Sequence, residues 1–334
     1  MRVLFETIRQ AFNLSGKIIK ADRLTEGSIH ETYRIGLDTG KIYIFQKIHT
    51  GVFQNPDAVM QNIIIITEYL QKYYPDMQTL HFYQTDSRMY FYQNWRVMDC
   101  IQGQSYKIFH DLHQIQKAGT MFGKFQNAVS GIDPNLLKPV ISGFHDTRNY
   151  FDQLLNLHSD LPEAQILIKW QEQACEVFDY YQKNKNLFKI THNDMKCSNL
   201  LFDSSGNPVA VIDLDTVMNG IPVYDFGDAV RSFASNTNSS ESDLSRVGLN
   251  LDKFRAFASG WLSQTEYSSE ERKLLIPAVF SVTAELAVRY LTDYLQGNLY
   301  FKTHDPEQNL IRARNQIRLA QEILNHQSEM EKIL

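Results

Sequence analysis

The sequence predicts an α+β fold in two parts, a small β-rich lobe over residues 1–102 and a larger α-helical lobe over residues 103–334. The chain has 334 residues, which corresponds to about two domains at roughly 100–200 residues each. Strand-like alternation dominates the first hundred residues, and amphipathic helical patterns dominate the rest. The short breaker Ile101-Gln102-Gly103-Gln104 separates the two patterns.

The first lobe contains a predicted hairpin, one helix and two further strands. Residues 31–37 and 41–48 flank the turn signal Asp38-Thr39-Gly40 and are predicted to pair. Asn55 is predicted to cap a helix that has Pro56 at its first position and ends before Pro75. The two further predicted strands span residues 81–85 and 89–99.

The second lobe is predicted to be helical around one compact β-rich island, residues 188–217. The Ser- and Asn-rich residues 235–243 are predicted to form an exposed, mobile loop. The predicted helices span residues 111–129, 147–157 and 162–186, and helices resume near Asp225.

Composition excludes several classes of protein. An apolar fraction of 43% and a charged fraction of 21% exclude a disordered chain, a collagen-like repeat and a simple coiled coil. A net charge of −5 argues against nonspecific nucleic-acid binding. Three scattered cysteines without CxxC spacing favour a reducing compartment. The first residues hold no long apolar stretch, and residues 63–66 are too short a run to span a membrane. We therefore expect a soluble, cytoplasmic protein without a membrane partner.

The chemistry is concentrated in residues 191–215. Asp194 and Asn199 lie five residues apart in a loop before a short apolar strand, and Asp213 and Asp215 end the next apolar strand. A hairpin through residues 203–208 would bring Asn199 close to Asp213. A cluster of amide and carboxylate oxygens without His or Cys ligands suits Mg²⁺, which binds a few protein oxygens together with substrate phosphates.

This order of residues is the catalytic arrangement of the kinase fold, H-x-D-x-x-x-x-N followed by a metal-binding Asp about 14 residues beyond the Asn. In this interpretation Asp194 accepts or orients the proton of the acceptor hydroxyl. Asn199, Asp213 and Asp215 hold Mg²⁺ on the phosphates of ATP. The structural alternative is that the two carboxylates only cap the turns of a hairpin.

The segment Asp225-Phe226-Gly227 spells the DFG of protein kinases but lies 26 residues after Asn199. Because Asp213 already fills the metal position, we interpret Asp225 as the cap of a helix that also braces the catalytic loop.

Residues 192–199, 212–215 and 224–228 resemble the aminoglycoside phosphotransferase/choline kinase superfamily, which consists of small-molecule kinases with a two-lobe, protein-kinase-like fold. The resemblance covers roughly residues 15–330. Protein kinases proper fit less well, because GxGxxG and APE motifs are missing. A closer resemblance, to bacterial N-acetylhexosamine 1-kinases, implies transfer of the ATP γ-phosphate to the anomeric hydroxyl of N-acetylglucosamine or N-acetylgalactosamine. The segments that carry it are Ile29–Arg34, Phe45–His49, Val52–Pro56, Phe144–Thr147 and Arg289–Lys302.

The nucleotide side is predicted from position along the chain. Backbone N–H groups of Gly27 and Ser28 would line the phosphates, although a bare turn would look the same. Lys47 lies where the strand lysine of kinases pairs with the α- and β-phosphates, and a solvated edge lysine is the alternative. Its partner acid on the following helix is not assigned. Met98 and Ile101 fall at the segment that resembles the adenine-binding hinge.

The acceptor side is predicted around the helix that begins near Ile276. Glu285, Arg289 and Asp293 recur every four residues and share a helix face, either as a surface ion-pair ladder or with Arg289 binding acceptor hydroxyls. Tyr300 and Phe301 would supply aromatic surface. The resemblance to the 1-kinases implies a sugar pocket formed by His30, Asp194, Thr216, Arg289 and Tyr300, with Phe233 as a further candidate. For His30 the alternative is an ordinary surface histidine.

The sequence is also compatible with other functions. Choline, ethanolamine, an aminoglycoside, homoserine or another sugar are rival acceptors. Cationic acceptors need an acidic or aromatic pocket, and Arg289 beside the acids of its helix favours a neutral sugar. A non-catalytic nucleotide-binding pseudokinase is the alternative outside enzymes, disfavoured because Lys47, Asp194, Asn199 and Asp213 are all present. We expect a monomer or homodimer.

Overall fold

The computed structural model describes residues 1–24 and 29–334. The chain divides into two compact units, Met1–Gln102 and Gly103–Leu334. The first unit holds an antiparallel sheet and the second is mainly helical, which confirms the predicted α+β class. Gly27 and Ser28, the predicted phosphate-binding residues, lie outside the described residues. The nucleotide-binding and acceptor-binding roles of the two units stay predictions.

The first unit is a four-stranded antiparallel sheet, in the order β1-β2-β3-β4, with two helices. The predicted hairpin is confirmed as β2 paired with β3. The predicted helix is confirmed as well, and the Asn55 side chain caps it by accepting a hydrogen bond from the N–H of Ala58. The elements are α1 (Arg2–Ala11), β1 (Ile18–Leu24), β2 (Glu31–Leu37), β3 (Ile42–Lys47), α2 (Pro56–Tyr73) and β4 (Trp95–Asp99).

The prediction of strands over residues 81–85 and 89–99 is wrong about their lengths. Phe82 makes only an isolated bridge to Met98, and the regular strand begins at Trp95. Gln93 and Asn94 have φ values of 49° and 66°, in the left-handed region, so the chain turns tightly before β4. Left-handed backbone cannot continue a strand, and the apolar pattern of residues 89–94 does not reveal it.

The two faces of this sheet pack against different partners. Phe5 of α1 lies with its ring centroid 4.7 Å from that of Tyr33 and 5.9 Å from that of Trp95. On the opposite face, Arg96 of β4 contacts the Sδ of Met60 in α2 at 3.7 Å. The core of the unit therefore lies between α1 and one sheet face, and α2 packs on the other.

The second unit is built from nine helices and two small two-stranded sheets, β5 with β8 and β6 with β7, in this fully described part of the chain. The helices predicted at 111–129, 147–157 and 162–186 are confirmed with small differences at their ends. The elements are α3 (Leu112–Val129), α4 (Thr147–Asn156), α5 (Pro162–Lys183), β5 (Lys189–Thr191), β6 (Leu200–Phe202), β7 (Pro208–Val211), β8 (Met218–Gly220), α6 (Pro222–Phe233), α7 (Leu251–Leu262), α8 (Ser269–Lys273), α9 (Leu275–Leu295), α10 (Gln308–Asn325) and α11 (Gln327–Ile333).

Helix α9 is the central helix of the second unit and packs against α4, α5, α6 and α10. Among the described residues it is the one helix long and apolar enough to cross a membrane by length and composition. However, 83% of its most apolar window is buried inside the protein, and a helix that is apolar all round is typical of a protein core. Its three charged residues are Glu285, Arg289 and Asp293.

Candidate active site

The catalytic loop, residues 192–199, follows β5 and is held by a carboxylate beneath it. Asp225 of α6 is fully buried and accepts hydrogen bonds from the backbone N–H groups of His192 and Asn193, both at 2.7 Å. Burial raises the pKa of Asp225 to about 6. The prediction that Asp225 caps the helix is wrong, because α6 begins at Pro222 with Ile221 as the preceding residue. The structure does show it bracing the loop.

Further hydrogen bonds fix the ring of His192. Its Nε2 lies 3.0 Å from the carbonyl oxygen of Ile212, and its Nδ1 accepts from the N–H of Asp194 at 3.3 Å. One nitrogen therefore donates and the other accepts, which is the pattern of a neutral imidazole with its proton on Nε2. The hydroxyl of Thr216 donates to the carbonyl oxygen of His192 at 2.7 Å. Thr216 thus supports the loop, and its predicted contact with a sugar stays a prediction.

Asp194 is paired with a residue that the sequence analysis missed. Its Oδ2 lies 2.5 Å from Nζ of Lys196 and accepts from Nδ2 of Asn199 at 3.0 Å. Burial opposes the charge on Asp194, but the attraction of Lys196 outweighs it, so the pKa of Asp194 lies below its ordinary value. Burial likewise opposes the charge on Lys196, and its pKa is raised by Asp194 and then Asp213. The D-x-K spacing within the loop was the signal available.

The predicted hairpin that joins Asn199 to Asp213 is confirmed. Strands β6 and β7 pair, and the N–H of Ile212 donates to the carbonyl oxygen of Asn199 at 3.0 Å. Asn199 is buried, and its amide nitrogen is committed to Asp194, so its amide oxygen is the atom left for a cation. Asp215 is only 2% exposed.

Asp213 has a backbone conformation that L residues rarely adopt. Its φ is 62°, and such strain clusters at functional sites. Asp213 precedes the short 3₁₀ helix Leu214–Thr216, yet its side chain makes no capping hydrogen bond to that helix. The oxygen donors of Asn199, Asp213 and Asp215 fit a hard divalent cation such as Mg²⁺.

Arg289 of α9 lies inside a box of aromatic rings. Its guanidinium carbon is between 4.9 and 5.7 Å from the centroids of four rings, and Nη2 donates to the Tyr300 hydroxyl at 3.5 Å. Within the described chain its nearest acid is Glu285, with Nη1 3.9 Å from Oε1. Burial opposes its charge, but these partners raise the pKa of Arg289. We call this group the aromatic box; its rings belong to Phe144, Tyr150, Tyr300 and Phe301.

The predicted face of Glu285, Arg289 and Asp293 is not a surface ladder. Glu285 is 1% exposed, and Asp293 turns away from Arg289 toward the segment after α9. There Asp293 accepts hydrogen bonds from the N–H groups of Tyr300 at 2.7 Å and Phe301 at 2.9 Å. Asp293 therefore shapes the backbone that presents two rings of the aromatic box.

Phe233 is not a wall of any acceptor pocket. It is fully buried and its ring stacks between those of Phe109 and Phe257, each 5.1 Å away. The prediction of Phe233 as a sugar contact is corrected for this reason. An apolar residue in the last turn of a helix has no pattern that separates a core position from a pocket wall.

In the first unit, Lys47 is exposed at the end of β3. It pairs across the sheet with Trp95, whose ring packs against α1, so Lys47 belongs to the face opposite α2. Among the described residues Lys47 forms no ion pair with an acid of α2. The partner acid that the kinase resemblance implies therefore stays unassigned. The buried side chain on the α2 face is Arg96, whose guanidinium donates to Gln46 Oε1.

The remaining candidates in the first unit are Met98, Ile101 and His30, and their binding roles stay predictions. Met98 is buried in β4, and Ile101 follows the strand with its backbone N–H unbonded among the described residues. The Nδ1 of His30 accepts from the N–H of His49 at 3.1 Å, and its ring stacks on Phe53.

Solved structures share this fold at low sequence identity. A microcompartment-associated aminopropanol kinase aligns with a TM-score of 0.70 and 15% identity over 98% of each chain. An amicoumacin kinase, solved with AMP-PNP and Ca²⁺, has a TM-score of 0.65 and 11% identity over 95% of this chain and 92% of its own. A choline kinase from Cryptosporidium parvum has a TM-score of 0.61 and 13% identity over 99% of this chain and 97% of its own.

The family comparison covers most of the chain, including the catalytic loop and the residues after β7. The profile of the phosphotransferase enzyme family, APH, matches residues 20–258. The chain therefore belongs to the APH phosphotransferase family and has its kinase-like fold.

Proposed function

We propose that this protein is an ATP-dependent kinase that phosphorylates the anomeric hydroxyl of an N-acetylhexosamine. The observation that carries the choice of acceptor is the position of Arg289 inside the aromatic box. Family membership supports phosphoryl transfer to a small molecule, and the resemblance to the 1-kinases supports the sugar and the anomeric position.

The aromatic box favours a neutral acceptor over a cationic one. Quaternary and primary ammonium groups are bound on the faces of aromatic rings. Here those faces are already next to the guanidinium of Arg289, whose raised pKa keeps it charged. A choline-like cation would meet a like charge. Sugar hydroxyls or an acetamido carbonyl would instead accept hydrogen bonds from Arg289, and the solvent-exposed parts of Tyr300 and Phe301 would offer apolar surface to the sugar ring.

Asp194 is the residue we propose to act on the acceptor hydroxyl. Its lowered pKa keeps it ionised at neutral pH, and the loop hydrogen bonds hold its backbone in place. Because an anomeric hydroxyl is more acidic than an ordinary alcohol, a carboxylate is a sufficient base. Lys196 keeps the Asp194 carboxylate oriented and adds positive charge where phosphate charge develops.

Asn199, Asp213 and Asp215 are proposed to hold Mg²⁺ with ATP. Bound Mg²⁺ would neutralise charge on the β- and γ-phosphates. The contribution of the chain is positioning, since the β6–β7 hairpin fixes Asn199 beside β7, which ends two residues before Asp213. In phosphoryl transfer, positioning and charge stabilisation supply most of the catalysis.

A second acceptor class is favoured by the same guanidinium. Arginine binds carboxylates in a planar, two-bonded geometry, so an amino acid such as homoserine could pair its carboxylate with Arg289. This candidate predicts loss of turnover when the acceptor carboxylate is amidated. The N-acetylhexosamine proposal predicts dependence on the acetamido group instead.

The experiment is an ADP-release assay with ATP and Mg²⁺ against N-acetylglucosamine, N-acetylgalactosamine, glucose, choline, ethanolamine, homoserine and an aminoglycoside. We expect turnover with an N-acetylhexosamine and little with the amino alcohols. Phosphorus NMR of the product should show an anomeric phosphate. The Asp194→Asn variant should bind ATP normally but lose turnover by about 10²–10⁴-fold, the usual contribution of a general base. Turnover with choline alone would refute the proposal, and ATP binding without turnover on any acceptor would favour the pseudokinase.

A further inference from the structure

His145 connects the helix that carries Arg289 with the catalytic loop. It lies just before α4, where Asp146 caps the helix by accepting from the N–H of Asn149 at 3.0 Å. Its ring Nδ1 lies 2.8 Å from Oε1 of Glu285 on α9, and Nε2 lies 3.1 Å from the backbone carbonyl oxygen of Asn193. Asn193 is the residue immediately before Asp194.

The two partners determine how many protons the ring carries. A carbonyl oxygen only accepts hydrogen bonds, and an ionised carboxylate also only accepts. Both ring nitrogens of His145 must therefore donate, which requires the doubly protonated imidazolium. His192, in the same loop, has one donating and one accepting nitrogen and serves as the neutral comparison.

Glu285 is held in the ionised state that this inference requires. The Thr147 hydroxyl donates to Oε2 of Glu285 at 2.7 Å, and the same hydroxyl accepts from the Tyr224 hydroxyl at 2.9 Å. Burial opposes the charge on Glu285, but His145 and then Arg289 lower its pKa. The carboxylate thus has a donor on each oxygen and no proton of its own to offer.

We propose that His145 is an imidazolium that positions the catalytic loop by tying the Asn193 carbonyl to Glu285 of the acceptor-side helix. It is a positioning residue, because it acts on Asp194 through the neighbouring backbone. The protonation state rests on geometry alone, whereas its effect on turnover rests on the proposed function.

The groups around His145 together favour its doubly protonated ring. Glu285 and Arg289 approach from α9, Asp225 and the Tyr224 ring from α6, and the Asn193 carbonyl from the loop. Burial and the cation of Arg289 disfavour a second positive charge, but the attraction of Glu285 prevails and raises the pKa of His145.

The raised pKa has a definite consequence for pH dependence. A histidine with a higher pKa in the folded than in the unfolded protein stabilises the fold fully below its unfolded pKa of about 6.5. That stabilisation is lost as the pH rises through the folded-state pKa. Loss of the second proton removes the donor to either Glu285 or Asn193, so the loop loosens on the alkaline side of this transition.

The first test is nitrogen-15 NMR of the histidine rings in the substrate-free protein across a pH series. We expect both nitrogens of His145 to carry protons above pH 6.5, while His192 shows the single Nε2 proton. The Glu285→Gln variant should shift the His145 pKa downward. A neutral His145 ring at pH 6.5 in the wild-type protein would overturn the proposal. This measurement needs no substrate, so it stands or fails independently of the acceptor.

The second test is the effect on turnover with whichever acceptor the assay identifies. His145→Gln should lower kcat about tenfold to a hundredfold, the usual range for losing a hydrogen bond to a charged group, with a near-normal KM for ATP. It should also remove the alkaline fall in kcat that we expect to track the NMR titration. His158→Gln is the matched control. His158 is exposed, and its φ of 48° is positive like the φ of 57° at His145. A wild-type-like kcat and pH profile in His145→Gln would refute the positioning role.

Discussion

The Nζ of Lys196 lies 2.5 Å from Oδ2 of Asp194, two residues earlier in the same loop. About 30% of each side chain remains exposed, 31% for Lys196 and 29% for Asp194. The pair is thus accessible, and each charge stabilises the other, lowering the pKa of Asp194 and raising that of Lys196.

Removal of Lys196 should reduce catalysis more than folding. We expect Lys196→Ala to lower kcat by about 10²–10³-fold, comparable to the loss of one electrostatic donor in an active site. The melting temperature should change little, because the pair is partly exposed. Steady-state kinetics and thermal unfolding measure the two effects, with Lys185→Ala as the surface-lysine control. Unchanged kcat would exclude an active-site role for Lys196.

Substitution of Asp213 distinguishes a cation ligand from a structural carboxylate. Asp213→Asn should raise the Mg²⁺ concentration needed for half-maximal activity by about tenfold or more, since an amide is a weaker ligand than a carboxylate. Asp203→Asn is the matched control on the same hairpin, because Asp203 accepts turn hydrogen bonds from the N–H groups of Ser205 and Asn207. The control should alter stability only. Equal Mg²⁺ dependence of the two variants would support the turn-capping alternative.

Substitution of Arg289 should weaken binding of the acceptor and leave binding of ATP unchanged. Arg289→Lys loses the planar guanidinium, which a lysine ammonium does not replace. We expect the KM for the acceptor to rise at least about tenfold, while the KM for ATP stays constant. Arg312→Lys tests the specificity of this effect, because Arg312 also lies over an aromatic ring, that of Tyr290. A parallel rise in both KM values would contradict the assignment.

Gly220 leaves no room for a side chain beside the catalytic loop. A Cβ there would lie 2.1 Å from the Thr191 hydroxyl and 2.6 Å from Oδ1 of Asn193. Gly220→Ala should therefore destabilise the protein by about 1–3 kcal/mol, as overpacking does, and lower kcat by displacing the loop. Gly36→Ala, where the new Cβ meets Lys20 at 3.5 Å, should be tolerated. Chemical denaturation and kinetics compare the two variants.

Asp225 should make stability depend on pH in the acidic range. Burial raises its pKa to about 6, so the folded protein holds this proton more tightly than the unfolded chain, whose Asp pKa is about 3.9. The contribution of Asp225 to the free energy of unfolding therefore falls as pH rises from about 4 to about 6. Subtracting the pH profile of Asp225→Asn from that of the wild type should isolate this slope. A flat difference would contradict the raised pKa.

The sequence was sufficient to predict those structural elements whose signals lie close together in the chain. The Asn55 cap, the β2–β3 hairpin and the β6–β7 hairpin each follow from residues close together in the chain, and all are confirmed. The ordered residues of the catalytic loop identified the region of the chemistry for the same reason.

Features that depend on tertiary packing could not be read from the sequence. Phe233 and Tyr300 look alike as aromatic residues, yet one is fully buried and the other is 39% exposed. Period-two alternation placed Lys47 on a sheet face without showing that α2 covers the opposite one. The two backbone donors that make Asp225 a brace come from residues more than 30 positions away.

The hydrogen bonds of Asp293 fix the backbone of residues 299–301, the segment after α9, and leave its side chains outside that bonding. The carboxylate holds the backbone of Tyr300 and Phe301, whereas neighbouring Leu299 is 82% exposed. We therefore expect the backbone of residues 299–301 to tolerate exchange of its side chains, Leu299 above all, as long as Asp293 is kept. This separation makes the segment a natural starting point for laboratory evolution toward new acceptors, and it offers a route by which related chains could diverge in specificity around an unchanged phosphoryl-transfer centre.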